Sequence, residues 1–185
     1  PKFWCPEGTG PGNFSLKGGA GGKRGGLQKT TNSSKSKKEN RSNNIIKTQQ
    51  LKDNEKKLSI AYDVMPAFDH KNFLEGAKFA FETIINAFNT SDTKTLKKLL
   101  TKNVFDSFNQ AISENANNPG FQFYSLLIDG VEDVYIEENL INIKLKITSE
   151  QFKDNDEATI TKKQDLWTFQ KKLNDNSPIW LLCAT

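Results

Sequence analysis

Asp129, Asp133 and Asp165, together with the phenols of Tyr124 and Tyr135, are the side chains of this sequence that could act as general acid and base. Two carboxyl groups sharing a pocket titrate apart, so that one gives a proton while the other takes one. Each of these residues falls in or beside a stretch with strand periodicity, and an inward-facing Asp or Tyr would suit a small isomerase or dehydratase. Turn and edge positions account for them equally well, because the sequence does not fix which way they face. His70 is the single histidine. Without a second His or a nearby Cys it cannot seed a zinc site, and it reads as a loop or first-turn residue. Asp154, Asp156 and Glu157 crowd one segment, but DNDE lacks the glycine and the bidentate glutamate of a calcium loop. Lys17 to Arg24, KGGAGGKR, lacks the first glycine and the Ser or Thr of a phosphate-binding loop. No metal and no cofactor is expected.

Charge divides the chain. Residues 1–58 hold 13 Lys/Arg against 4 Asp/Glu, whereas the rest holds 13 against 18. The pI of about 9.0 therefore describes the N-terminal part. Only Arg24 and Arg41 supply guanidinium groups, the usual means of reading base edges. Sequence-specific nucleic-acid binding is disfavoured, although a lysine-rich tail holds any polyanion weakly. Cys5 and Cys183 stand at opposite ends and read as two free thiols of a reducing compartment. No apolar run reaches the length of a membrane span, and no secretory leader is visible.

The elements that would position any site begin late. Nine of the twelve glycines lie between Gly8 and Gly26, followed by TTNSSKSKKENRSNN. Residues 1–44 are therefore expected to be a disordered basic tail. Residues 45–67 carry a thin apolar stripe, Ile45, Ile46, Leu51 and Leu58, and read as a helical linker that Pro66 ends. The domain is placed at 68–185. Asn72 with Glu75 resembles a capping box opening a helix that runs to Asn89. Ser91 or Asp92 caps a short helix over 93–100, and Thr101 caps a third that Asn117-Asn118-Pro119-Gly120 stops. The period then changes to two. Phe121 to Glu137 forms one strand or two, Glu138-Asn139 turns, and Leu140 to Thr148 alternates cleanly. A polar loop is expected over 150–157, then a long strand over 158–173, and a last one over 179–184. Helices first and strands after, joined by hairpin-length links, predict an α+β fold with an antiparallel sheet.

Apolar bulk concentrates in Phe81, Ile85, Phe88, Phe105, Phe108, Trp167, Phe169 and Trp180. On the sequence alone these read as packed core. FLEGAKFAFETIINAF, TLKKLL, SEQF, LWTFQ and PIWLLCAT, taken together, resemble the Tim44-like domain from about Phe68 to Thr185. This is the C-terminal domain of the mitochondrial inner-membrane subunit that anchors the import motor, shared with bacterial relatives and a mitochondrial ribosomal protein. Lys97-Lys98 stands where the family pattern carries a proline, and no apolar anchor precedes the domain. The resemblance implies a cystatin-like, nuclear-transport-factor-like cone with an apolar pocket, partly lined by those eight residues. It implies a non-enzymatic, membrane-peripheral scaffold of protein translocation that touches anionic phospholipid and translocation or chaperone proteins. The setting would be the cytoplasmic face of a bacterial inner membrane or the mitochondrial matrix side. Lys35, Lys37, Lys38, Arg41 and Lys47 would then meet the anionic surface.

Overall fold

In the computed structural model the described residues are 44–114, 122–153 and 156–185, with no side chain described at 122, 153 and 156–159. The expected tail, Lys17–Arg24, the four basic candidates before Lys47, Cys5 and the side chains of DNDE lie outside them. After a helical segment at 44–49 comes a 3-10 turn, Asp53–Leu58, which runs into α1, Ser59–Val64. There follow α2, His70–Asn89, α3, Thr93–Leu99, and α4, Lys102–Glu114. Four strands complete the order: β1, Gln122–Glu137; β2, Leu140–Lys153; β3, Asp156–Lys172; and β4, Leu181–Ala184. They form one antiparallel meander, β1-β2-β3-β4. The fold is the α+β cone, with helices on one face of a curled open sheet.

Curling follows from strand length and bulges. Strands this long twist, and β1 carries three register shifts, at Phe123/Ser125, Ile128/Gly130 and Val131/Asp133. Each bulge adds a residue on one side and bends the strand. Side-chain alternation then makes two different faces. Ile141, Ile143, Leu145, Ile147 and Ser149 of β2 are fully buried under the helices. The register puts Phe169, Trp167 and Asp165 of β3 beside Ile143, Leu145 and Ile147 on that same face. Lys144 and Lys146 take the outer face, as the alternation predicts.

Three expectations change. Asp69, not Asn72, caps α2: its carboxylate accepts the N–H groups of Lys71 and Asn72 at 3.1 Å each. Asn72 is thereby a donor inside the first turn, and an acid caps the positive helix end better than an amide. The polar stretch 150–157 is mostly strand, because β2 runs to Lys153 and β3 starts at Asp156. Polar residues there are held in strand by cross-strand pairing, Glu150 with Lys162 and Gln151 with Thr161. Finally, the segment read as a thin-striped linker supplies core: Leu58 and Ala61 are fully buried, and Tyr62 and Met65 nearly so.

That segment straps the sheet edge. Asn54 Nδ2 donates to Asp129 O and Lys57 Nζ to Glu132 O, both on β1. Gly130 permits the approach, since a Cβ there would sit 2.8 Å from Asn54 Cβ. At the far end of α2 the chain closes a Schellman turn, with Asp92 N bonded to Ala87 O and Ser91 N to Phe88 O. Ser91 takes φ 55°, where glycine is usual. Asp92 then caps α3 through Thr95 N at 3.1 Å, which is why a second helix starts at once.

Candidate functional site

An aromatic row lines the helix-facing side of the sheet. Phe81 of α2 stacks on Trp167 at 4.3 Å and meets Phe123 at 5.9 Å. Phe73 touches Trp180 at 4.8 Å and Phe169 at 6.3 Å. Toward the C-terminal end of α2 this packing thins. There an open cavity of about 500 Å³ lies between Ile85 and Phe88 of α2, Phe108 and Ala111 of α4, and Trp167 of β3. Phe88 and Phe108 meet edge-on at 5.4 Å across its helical wall.

Its opposite rim is polar. Gln151, Lys163 and Asp165 border the cavity from the sheet. Lys163 Nζ lies 3.2 Å from Asp165 Oδ1, with the lysine largely in solvent and the aspartate mostly covered. Deeper, Gln151 Nε2 donates to Ser149 Oγ at 2.9 Å, which satisfies two polar groups beneath the apolar surface. The arrangement can cover an apolar body and hold charge at its mouth.

Of the eight apolar residues singled out in the sequence, Ile85, Phe88, Phe108 and Trp167 surround this cavity. Phe81 and Phe169 are fully buried in the core. Phe105 packs on the core from α4. Trp180 lines a different recess of about 330 Å³ at the other end of α2, with Phe68, Phe73 and Lys171. That recess is smaller and bordered by Asp69, Asp175 and Asn176, so the larger cavity is the better candidate for an apolar guest. Gln151 and Lys163 were not singled out from the sequence. The only signal for them was position in the β2–β3 hairpin, and their facing depends on register.

The acid–base candidates do not converge. Asp165 faces the cavity. The Asp129 carboxylate lies on the opposite face of the sheet, accepting from Thr148 at 2.7 Å and Gln164 at 3.1 Å. Asp133, Tyr124 and Tyr135 are exposed and border no cavity with Asp165. Among the described residues, no group of three or more His, Cys, Asp or Glu could hold a metal. Cys183 carries a free thiol, and burial pushes its pKa up, away from the reactive thiolate.

Lys47, the one described member of the basic set, pairs with Asp69 at 2.9 Å. Burial raises the Asp69 pKa, but the Lys47 ammonium and the Asn72 N–H outweigh it and hold the carboxyl below its ordinary range. Among the described residues, no helix is long and apolar enough to cross a membrane.

The family model described as Tim44-like domain matches residues 55–185. The chain belongs to the Tim44-like domain family. Its start at residue 55 agrees with Leu58 and Ala61 being core. A Rickettsia prowazekii (strain Madrid E) protein described as uncharacterized, RP434, is 30% identical over 116 residues, 63% of this chain and 51% of the relative. This Tim44-like chain thus spans about half the length of the curated relative it matches. Among solved structures, the intermembrane-space region of the chloroplast protein ARC6 aligns at 10% identity over 58% of this chain and 90% of its own, with TM-score 0.33. A putative dehydratase of the NTF2-like family from Streptomyces avermitilis aligns at 16% identity over 59% and 90%, with TM-score 0.31.

Proposed function

We propose that this Tim44-like domain is a non-enzymatic, membrane-peripheral scaffold or adaptor in protein translocation, and that its cavity holds an apolar guest. Membership of the family supports the translocation setting. The observation that carries the guest is the cavity between Phe88, Phe108 and Trp167, open to solvent and aromatic on its walls. Interiors normally close such spaces, and apolar pockets with a few polar groups at the rim are ordinary ligand sites. Lys35, Lys37, Lys38, Arg41 and Lys47 would hold the chain to anionic lipid, on the cytoplasmic face of a bacterial inner membrane or the mitochondrial matrix side. Translocation or chaperone proteins would be its partners.

Native mass spectrometry of the full chain tests the guest. An acyl-chain or peptide adduct is expected, and dodecanoate should shift Trp167 fluorescence in wild type but not in Phe108→Asp. Absence of both an adduct and a dodecanoate response overturns the reading. The competing isomerase or dehydratase reading has one observation in its favour, Asp165 on the cavity rim. Among the described residues no second Asp or Glu and no Tyr side chain borders the cavity, and the Asp165 carboxylate is engaged by Lys163.

A further inference from the structure

Resting on the reading that the cavity takes an apolar guest, we infer that the guest is an extended segment of a partner polypeptide, added as a fifth strand along β3 with alternate side chains entering the cavity. The sheet is incomplete beside the cavity. β4 pairs only with Thr168 to Gln170, so among the described residues no strand pairs with the outer edge of β3 from Ile160 to Trp167. Among the described residues, no backbone hydrogen bond reaches this stretch from any element other than β2. An unpaired edge is a row of donors and acceptors suited to strand addition.

Register joins edge and cavity into one site. Lys163 and Asp165 lie on the helix-facing side, beside Ser149 and Ile147, and both border the cavity. A strand laid against them would turn every second side chain toward Phe88 and Phe108. The cavity of about 500 Å³ has room for roughly 16 non-hydrogen atoms at about 30 Å³ each. That is three or four leucine-sized side chains, about what one face of a seven-residue strand presents. On the other face of the same edge Ile160 and Leu166 are exposed, and they would pack against the intervening residues.

Charge narrows the partner. Lys162 and Lys163 are the kind of residues that keep stray edges away. Lys162, on the face away from the cavity, admits a strand whose intervening positions carry carboxylates. A second copy of the chain fits less well. Antiparallel pairing about Gln164 would match Lys163 with Asp165 of the copy, but it would send both charged pairs toward the cavity and leave its apolar walls unfilled.

The probe is a synthetic peptide of about seven residues, valine alternating with threonine and glutamate. Hydrogen exchange of the full chain is followed at Ile160 to Leu166, with Trp167 fluorescence as a second reading. Saturating peptide should slow the outward-facing amides at least about tenfold, and N-methylating the peptide amides that face β3 should weaken binding at least about tenfold. Equal binding of the methylated peptide overturns strand addition. So does protection that grows with protein concentration without peptide, which means a second copy. A dodecanoate response without peptide binding overturns this inference and leaves the cavity reading standing; silence of both probes overturns both.

Discussion

His70 sits at the first position of α2, nearly buried, with Nδ1 2.7 Å from the Tyr62 hydroxyl. The His70 backbone N–H donates to the same oxygen at 3.0 Å, which leaves the hydroxyl hydrogen free to point at Nδ1. Burial lowers the His70 pKa from its ordinary 6.5; Asp69 and Glu55 oppose that, while Lys71 and Lys47 add to it. The folded chain therefore resists a proton that the unfolded chain accepts near pH 6.5. This contribution to stability is complete above the unfolded value and is lost as pH falls through the folded one. As the chain has one histidine, urea unfolding between pH 5 and 7.5 should show a decline toward acid that His70→Gln flattens. A wild-type profile already flat in that window would remove the argument. None of this was legible in the sequence. His70 was unremarkable because its partner, eight residues back, lay in a segment that looked too polar to reach the core.

At the scale of elements, periodicity gave the three main helices and the β1–β2 hairpin, because local pattern alone decides those. The alternation of Ile141, Ile143, Leu145 and Ile147 with polar residues determines which face of β2 is buried, whatever surrounds it. Caps and strand ends depended on more. Whether Asp69 or Asn72 caps α2 turns on a hydrogen bond, and the length of the β2–β3 hairpin turns on cross-strand pairing that polar side chains do not reveal. The aromatic set shows the limit most clearly, since core and cavity wall have the same composition. Phe81 is enclosed by Trp167 and Phe123, whereas Phe108 is only partly buried beside Phe88. Phe81→Ala should cost about 3–5 kcal/mol in a urea titration. Phe108→Ala should cost less, about 2 kcal/mol, because part of its surface already meets water. Equal losses would mean that the cavity wall is core after all.

For the whole molecule, the uneven charge makes a prediction that no single element could. The basic excess sits before residue 59 and the acidic excess after it. An anionic surface would therefore attract the first part and repel the second. Each Lys or Arg close to such a surface contributes about 1 kcal/mol. Replacing Lys35, Lys37, Lys38 and Arg41 with glutamine would then remove about 4 kcal/mol, roughly a thousandfold in vesicle affinity. Lys163→Gln, in the acidic half and at the cavity rim, should leave that affinity within about twofold, since its local attraction is already shared with Asp165. Sedimentation of the full chain with cardiolipin-containing vesicles separates these cases. Binding should be strong at low salt, weaken as the Debye length shortens toward about 3 Å in molar salt, and vanish in the quadruple variant. If the full chain stays in the supernatant at low salt, electrostatic attachment is wrong. If Lys163→Gln weakens binding as much as the quadruple variant does, the contact runs through the cavity rim, and the basic half has no part in it.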